Sequence, residues 1–293
     1  MASLHELLNQ PALEEPLLIL GLGGWIDAGG GAQAAIEELR SHLSFEPVAT
    51  FDADLLLDHR SNRPLMSLKD GRHQGLQWPT IELLSATDER GDDILLLAGA
   101  EPDHLWQSFA ADVVELGVEF GVRLVLSLGA YPAPVPHTRP TELSATATTD
   151  ELAAQIGSLD ASIDVPAGIH GVIEWEFGER NIPASGLWAR VPHYAAAMPY
   201  PAAARALLDG LGNVGGVDVP DGVLLDDVQQ IRHRLDELVA DSPEHQQLLA
   251  ALEVEYDETD RLPEPGLVDD PEDLPSGDEL AGQIQDFLRD RDI

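Results

Sequence analysis

Cysteine is missing from all 293 residues, which excludes disulfides, thiolate metal sites and a cysteine nucleophile and makes the cytoplasm the default compartment. Lysine is nearly missing as well: Lys69 stands alone, and every other cation is an arginine, a skew that fits a GC-rich genome better than a functional choice. Positive charge is scarce altogether, with 16 Lys+Arg against 53 Asp+Glu and a formal net charge of -37. A field of that sign repels nucleic acid and anionic membranes, both of which need basic surface. Solubility or adaptation to salt accounts for it as readily as an acidic docking surface does. No stretch reaches the ~20 apolar residues of a membrane span, and no cationic start leads into an apolar core as in a signal peptide. The acid is uneven: from Asp218 onward stand 23 acidic residues and 5 arginines, about half of the net charge. No internal repeat is present.

What the chain does have is 44% hydrophobic residues, enough for a substantial core. It is organised around Leu17-Leu18-Ile19-Leu20, followed by Gly21-Leu22-Gly23-Gly24-Trp25-Ile26-Asp27-Ala28-Gly29-Gly30-Gly31. The apolar run predicts a strand covered on both faces, the glycines a bend, and Asp27 either a helix cap or a side chain projecting into the crevice above the strand. Ala32 to Leu43 reads as a helix with Ala35, Ile36, Leu39 and Leu43 on one face. Pro47 to Phe51, Ile94 to Ala98, Arg123 to Leu128 and Leu187 to Val191 read as further strands, and Thr141 to Thr148 as a returning one. Leu65 to Leu68 and Thr80 to Ser85, around turn residues Lys69 to Arg72, predict a hairpin-like excursion. Helices are expected from Pro102 to Leu116, after an Asp150 cap, over Gly168 to Gly178 and over Pro201 to Leu211. Gly129 to Pro140 is proline-dense and predicts a stiff, extended loop. Val223 to Ala240 and Pro243 to Tyr256 form two amphipathic helices, Leu262 to Ser276 an extended or disordered link, and Gly277 to Arg291 has the pattern of a terminal helix.

Strands alternating with helices give an α/β three-layer sandwich over residues 1–215, then an acidic helical appendage over 216–260 and an acidic tail over 261–293. In open α/β sheets the strand-to-helix turns form the rim where ligands bind, so the chemistry is sought there. Gly21 to Asp27 is not a dinucleotide fingerprint, because Ile26 takes the third glycine position of G-x-G-x-x-G, and it lacks the Gly-Lys-Ser/Thr ending of a Walker loop. Tight helix–strand packing with Trp25 buried is the plainer reading.

His137-Thr138-Arg139 can bind an anion or assist proton transfer. The competing expectation is a loop locked by packing, with Arg139 paired to an internal carboxylate such as Asp27, Asp54 or Glu101. His193-Tyr194 follows another strand in the same way. If His137 and His193 met Asp27 or Glu101, an acid–base or metal site would form, but spacing alone does not bring them together, and no metal or cofactor is expected. Arg60 and Arg63 with Asp52, Asp54 and Asp58 read as structural ion pairs. No G-x-S-x-G or H-E-x-x-H motif occurs. The catalytic candidates are Asp27, Glu101, His137 and His193; the ligand-binding candidates are Gly23, Gly24, Asp27, Arg63, Thr138, Arg139 and Tyr194.

Several segments in order, Gly24-Trp25-Ile26-Asp27-Ala28-Gly29, Phe51-Asp52-Ala53-Asp54 with Arg63-Pro64, Gly99-Ala100-Glu101-Pro102-Asp103 with Trp106, Pro134-Val135-Pro136-His137-Thr138-Arg139-Pro140, and Leu187-Trp188-Ala189-Arg190-Val191-Pro192-His193-Tyr194, carry a resemblance. Together they resemble the proteasome assembly chaperone two family in its actinobacterial-type branch, over roughly residues 16 to 215, with Tyr256-Asp257 extending the likeness. The resemblance implies a phosphorylase/hydrolase-like α/β/α fold, a homo-oligomer with a trimer favoured, and a proteasome-related or other protein partner. Asp292 stands where archaeal relatives have the tyrosine of a C-terminal docking motif, and the Gly-Gln-Tyr-Leu ending of bacterial proteasome activators is lacking, so tail insertion into a proteasome ring is not expected.

Three functions stay open at this point. One is a non-enzymatic chaperone or scaffold, which the resemblance favours. Another is a small-molecule enzyme in the glycine-rich crevice, a phosphorylase, hydrolase or ATP-dependent ligase, for which one lysine is a poor supply of phosphate contacts. The last is a structural oligomer whose rim residues hold subunits together.

Overall fold

The computed structural model describes residues 3–24, 26–157, 164–219 and 224–259. In chain order the strands are β1 (His5–Leu7), β2 (Leu17–Gly23), β3 (Glu46–Phe51), β4 (Leu65–Lys69), β5 (Arg72–Gln77), β6 (Ile81–Thr87), β7 (Asp93–Ala100), β8 (Leu124–Ala133), β9 (Leu143–Ala147) and β10 (Ala184–Pro192). The helices are α1 (Gly31–His42), α2 (Ala53–Leu56), α3 (Trp106–Glu119), α4 (Asp150–Ile156), α5 (Ile169–Gly178), α6 (Pro201–Gly210), α7 (Leu225–Ala240) and α8 (Pro243–Thr259). Eight strands make one mixed sheet in the order β1-β3-β6-β7-β2-β8-β10-β9, while β4 and β5 pair apart from it. The central four, β7, β2, β8 and β10, run parallel; the strands outside them join antiparallel.

Side-chain alternation along β2 explains the three layers. Leu17 and Ile19 face Ala35, Ile36 and Leu39 of α1 and Ala203, Ala204, Leu207 and Leu208 of α6. Leu18, Leu20 and Leu22 face Phe109, Val113 and Val114 of α3 and Ile169, Ile173 and Phe177 of α5. A strand with two apolar faces needs a cover on each, and the result is an α/β/α sandwich with helices following at its C-terminal side. Leu235 of α7 joins the first of the two cores. The chain divides into two compact units, residues 1–253 and 254–293, and of the second only the end of α8 is described.

Several elements differ from expectation. β1, a three-residue edge strand, carries too little pattern to be seen in sequence. The excursion pairs Leu65–Lys69 with Arg72–Gln77, and Ile81–Thr87 instead enters the main sheet between β3 and β7. Its turn is Asp70 and Gly71 with φ of 51° and 73°, the two-residue primed geometry for which Asp-Gly is suited. The proline segment begins as strand, because β8 continues through Pro132 to Ala133 against β10. β2 pairs with β8 only as far as Ser127, so one edge of β8 is unladdered there and a missing N–H costs little. α3 starts at Trp106 rather than near Pro102, after Leu105 adopts a left-handed φ of 58°. Thr149, not Asp150, caps α4, accepting from the Leu152 N–H. Trp25 and the segments read over 262–276 and 277–291 lie outside the described residues.

Candidate functional site

β2 leads into α1 on one face of the sheet and the neighbouring β7 leads into α3 on the other, so the chain diverges at their carboxyl ends. Such a switch point opens a crevice, here a cavity of about 830 Å³. Gly21 to Gly24, Ile36, Gly99, Leu128, Trp188 and the start of α5 form its walls.

Two sequence candidates set its rim. Asp27 caps α1, its carboxylate accepting from the Ala32 N–H at 2.7 Å and the Gln33 N–H at 3.1 Å. Burial pushes its carboxyl above the usual range, and these N–H groups act in the opposite direction. Glu101, just past β7, accepts from the Ile169 N–H at 2.9 Å and so serves the N-terminus of α5, where Gly168 has no side chain to do it.

The floor holds two groups that the sequence reading passed over. Glu174 is 7% exposed, and its carboxyl accepts from the Ser127 and Thr146 hydroxyls. Burial pushes it up to about 7. His170 accepts the Leu22 N–H on Nε2 at 3.1 Å, which leaves its proton on Nδ1, and burial pushes it down to about 4. The two are four residues apart on one helix, beside the buried stripe Ile169, Ile173 and Phe177. A His and a Glu at that spacing next to an apolar stripe were the available signal.

His137, Thr138 and Arg139 line a second cavity, of about 500 Å³. The Tyr194 hydroxyl receives the His137 N–H at 2.9 Å and meets its Nδ1 at 2.7 Å, while Nε2 meets Asp236 of α7 at 3.2 Å. Burial lowers the His137 pKa, against a raising effect of Asp236, and burial pushes Tyr194 up to about 12. The Thr138 hydroxyl donates to Glu253 of α8, and Arg139 reaches the same carboxylate at 3.1 Å. Arg139 is thus paired with a carboxylate as expected, but with Glu253 in place of the examples Asp27, Asp54 and Glu101, because α8 carries that carboxylate to the loop from 114 residues away. Tyr194→Phe removes one hydroxyl that makes two hydrogen bonds to the buried His137 and is expected to lower stability by about 1–3 kcal/mol, read by chemical denaturation.

The candidates therefore meet at two places. Gly23, Gly24, Asp27 and Glu101 line the large crevice; His137, Thr138 and Arg139 line the second cavity, with Tyr194 bonded to His137. His193 and Arg63 are exposed and line neither. Asp52 caps α2, and Asp58 pairs with Arg60 at the surface. Among the described residues no group of three or more His, Asp or Glu is placed to hold a metal ion, and no helix is long and apolar enough to cross a membrane.

Comparison with known proteins places this geometry. A Corynebacterium glutamicum protein of unknown function is 32% identical, with a TM-score of 0.83 over 88% of this chain and 98% of its own. A Mycobacterium tuberculosis protein of unknown function is 35% identical, with a TM-score of 0.81 over 88% and 90%. A proteasome-assembly chaperone homologue from Mycobacterium tuberculosis is 31% identical, with a TM-score of 0.73 over 80% and 99%. No curated protein matches the chain. The sequence matches the PAC2 family over residues 21–239, and the chain belongs to that family.

Proposed function

We propose that this protein is a non-enzymatic, chaperone-like scaffold that acts in the cytoplasm as a homo-oligomer, a trimer, and engages protein partners of the proteasome-assembly kind. The partner class follows the 31% identical Mycobacterium tuberculosis homologue of a proteasome-assembly chaperone. The observation that carries the reading is the β4–β5 hairpin, every residue of which is exposed. Leu65 is 68% exposed, Leu68 62% and Trp78 51%. Lys69 and Arg72 flank the hairpin's turn and Arg60 and Arg63 lie just before the hairpin, together a quarter of the chain's 16 Lys+Arg, with Asp70 in the turn and Asp58 paired to Arg60. An apolar, cationic arm on a chain of net charge -37 finds its complement in the acidic surface of a second copy. An enzyme using phosphate or nucleotide draws no support from the crevice, where Arg40 is the one cation among the described lining residues against Asp27, Glu37, Glu101 and Glu174.

The test is mass in solution by light scattering for the native chain and for Leu65→Ser/Leu68→Ser/Arg72→Glu. A native trimer and a folded, monomeric variant are expected, with the native assembly weakening as salt rises. A native chain that stays monomeric, or a variant that assembles unchanged, overturns the arm. Failure of the purified native chain to bind proteasome core subunits removes that partner class.

A further inference from the structure

We infer that the crevice over β2, β7, β8 and β10 is a binding site for a small planar organic cation, an amidine- or amine-type base on an aromatic body, which stacks on Trp188 and places its N–H groups on Glu174. The inference is independent of the hairpin and of any protein partner.

Shape comes first. A cavity of about 830 Å³ is within the range of small-molecule sites, and its walls are mainly apolar: Leu22, Ile26, Ile36, Leu128, Val165 and Ile169. One wall is a prepared aromatic face. A Cβ on Gly129 would lie 2.3 Å from Cζ3 of Trp188, and one on Gly186 would lie 2.8 Å from its Nε1, so the indole lies directly against two glycines on adjacent strands. Its Nε1–H donates to Thr146 Oγ1 at 3.1 Å, which fixes the ring. An aromatic face held in this way binds flat groups with little further ordering.

Charge comes second. Glu174 receives only neutral partners, the hydroxyls of Ser127 on β8 and Thr146 on β9. The other titratable side chains of the crevice are Asp27 after β2, Glu37 and Arg40 on α1, Glu101 after β7, Tyr131 on β8 and His170 on α5 itself. His170 is neutral near pH 7, since burial holds its pKa at about 4. Arg40 is exposed at the outer rim. Among the described residues the buried carboxyl therefore has no cation facing it, and a carboxylated or phosphorylated ligand would meet four acids. A cation supplies the missing charge, and hydrogen bonds from a planar amidinium match a carboxylate two at a time. Aromatic–cation attraction to Trp188 adds to the fit.

Benzamidine, benzamide and benzoate form an isosteric series of cation, neutral and anion, and their binding to the full chain can be followed by ligand-observed NMR and titration calorimetry. Benzamidine is expected to bind and the other two not to. Its affinity should rise by roughly tenfold or more from about pH 5.5 to about pH 8 as Glu174 ionises, since benzamidine keeps its charge throughout. Glu174→Gln should weaken it at least roughly tenfold at the upper pH. Gly24→Leu introduces bulk where an added Cβ meets nothing within 4 Å, so it should fill the crevice without disturbing the fold and abolish binding. No benzamidine binding, equal binding of benzoate, or binding that survives both Glu174→Gln and Gly24→Leu overturns the site.

Discussion

Glu174→Gln is expected to stabilise the protein by about 3 kcal/mol at about pH 8, and the gain should shrink to about 1 kcal/mol near pH 5. The sign follows from linkage. The folded carboxyl has a pKa of about 7 against an ordinary 4.5, so the folded state holds a proton that the unfolded state has lost between those values. Its contribution to stability is complete below about 4.5 and declines as pH rises to about 7. His170 has the opposite slope: with its pKa at about 4 against an ordinary 6.5, its contribution is complete above about 6.5 and declines as pH falls to about 4. In the native chain the two largely offset each other across the overlap. Removing the carboxyl leaves His170 to act alone, so the stability of Glu174→Gln should climb with pH where that of the native chain stays nearly level. Urea denaturation at several pH values reads both curves. A variant that is less stable than the native chain at about pH 8, or a gap that does not change with pH, contradicts the buried, unbalanced carboxyl. A group retained at such cost to stability has the character of a binding site rather than of a structural brace.

Gly99→Ala is expected to cost more than about 3 kcal/mol. Gly99 has φ of +128°, and a Cβ there would lie 2.0 Å from the Thr80 carbonyl oxygen and 2.9 Å from Ile81 Cα. Both neighbours are backbone and cannot swing aside. Relief requires β6 to part from β7 at the Ile81–Gly99 pair, directly beside the crevice. The variant should therefore lose stability and also expose the amide of Ala100, which donates to Thr80 O at 3.2 Å, to hydrogen exchange. Unchanged protection and an unchanged denaturation midpoint would show that this corner yields more easily than its geometry implies.

The parallel core was legible because each of its strands is an apolar run bounded by turn chemistry: Leu17 to Leu20, Ile94 to Ala98 and Arg123 to Leu128 all fall within observed strands or within a residue of one. α1 and α7 were legible from their stripes. β1 was not, since three residues at a sheet edge are defined by pairing with β3 and not by their own pattern. The crevice was half legible. Glycines and carboxylates after strands announce a rim, and Asp27 and Glu101 lie on it. Glu174 and His170 were hidden, because a polar residue on a helix reads as solvent-facing until the strands beneath it are known. His137-Thr138-Arg139 announced itself by its rigid loop, but its partners Asp236 and Glu253 lie about a hundred residues on, at a separation over which local pattern carries no information.

The two margins of the sheet have a consequence of their own. One ends on β1, three residues long and antiparallel to β3, and the other on β9, five residues long and antiparallel to β10. Little open backbone ladder is left at the margins of this eight-stranded sheet on which a foreign chain could grow by strand addition, and the open strand edges lie on the β4–β5 hairpin instead. The proposed docking arm is therefore also where the described residues leave unpaired strand edges exposed.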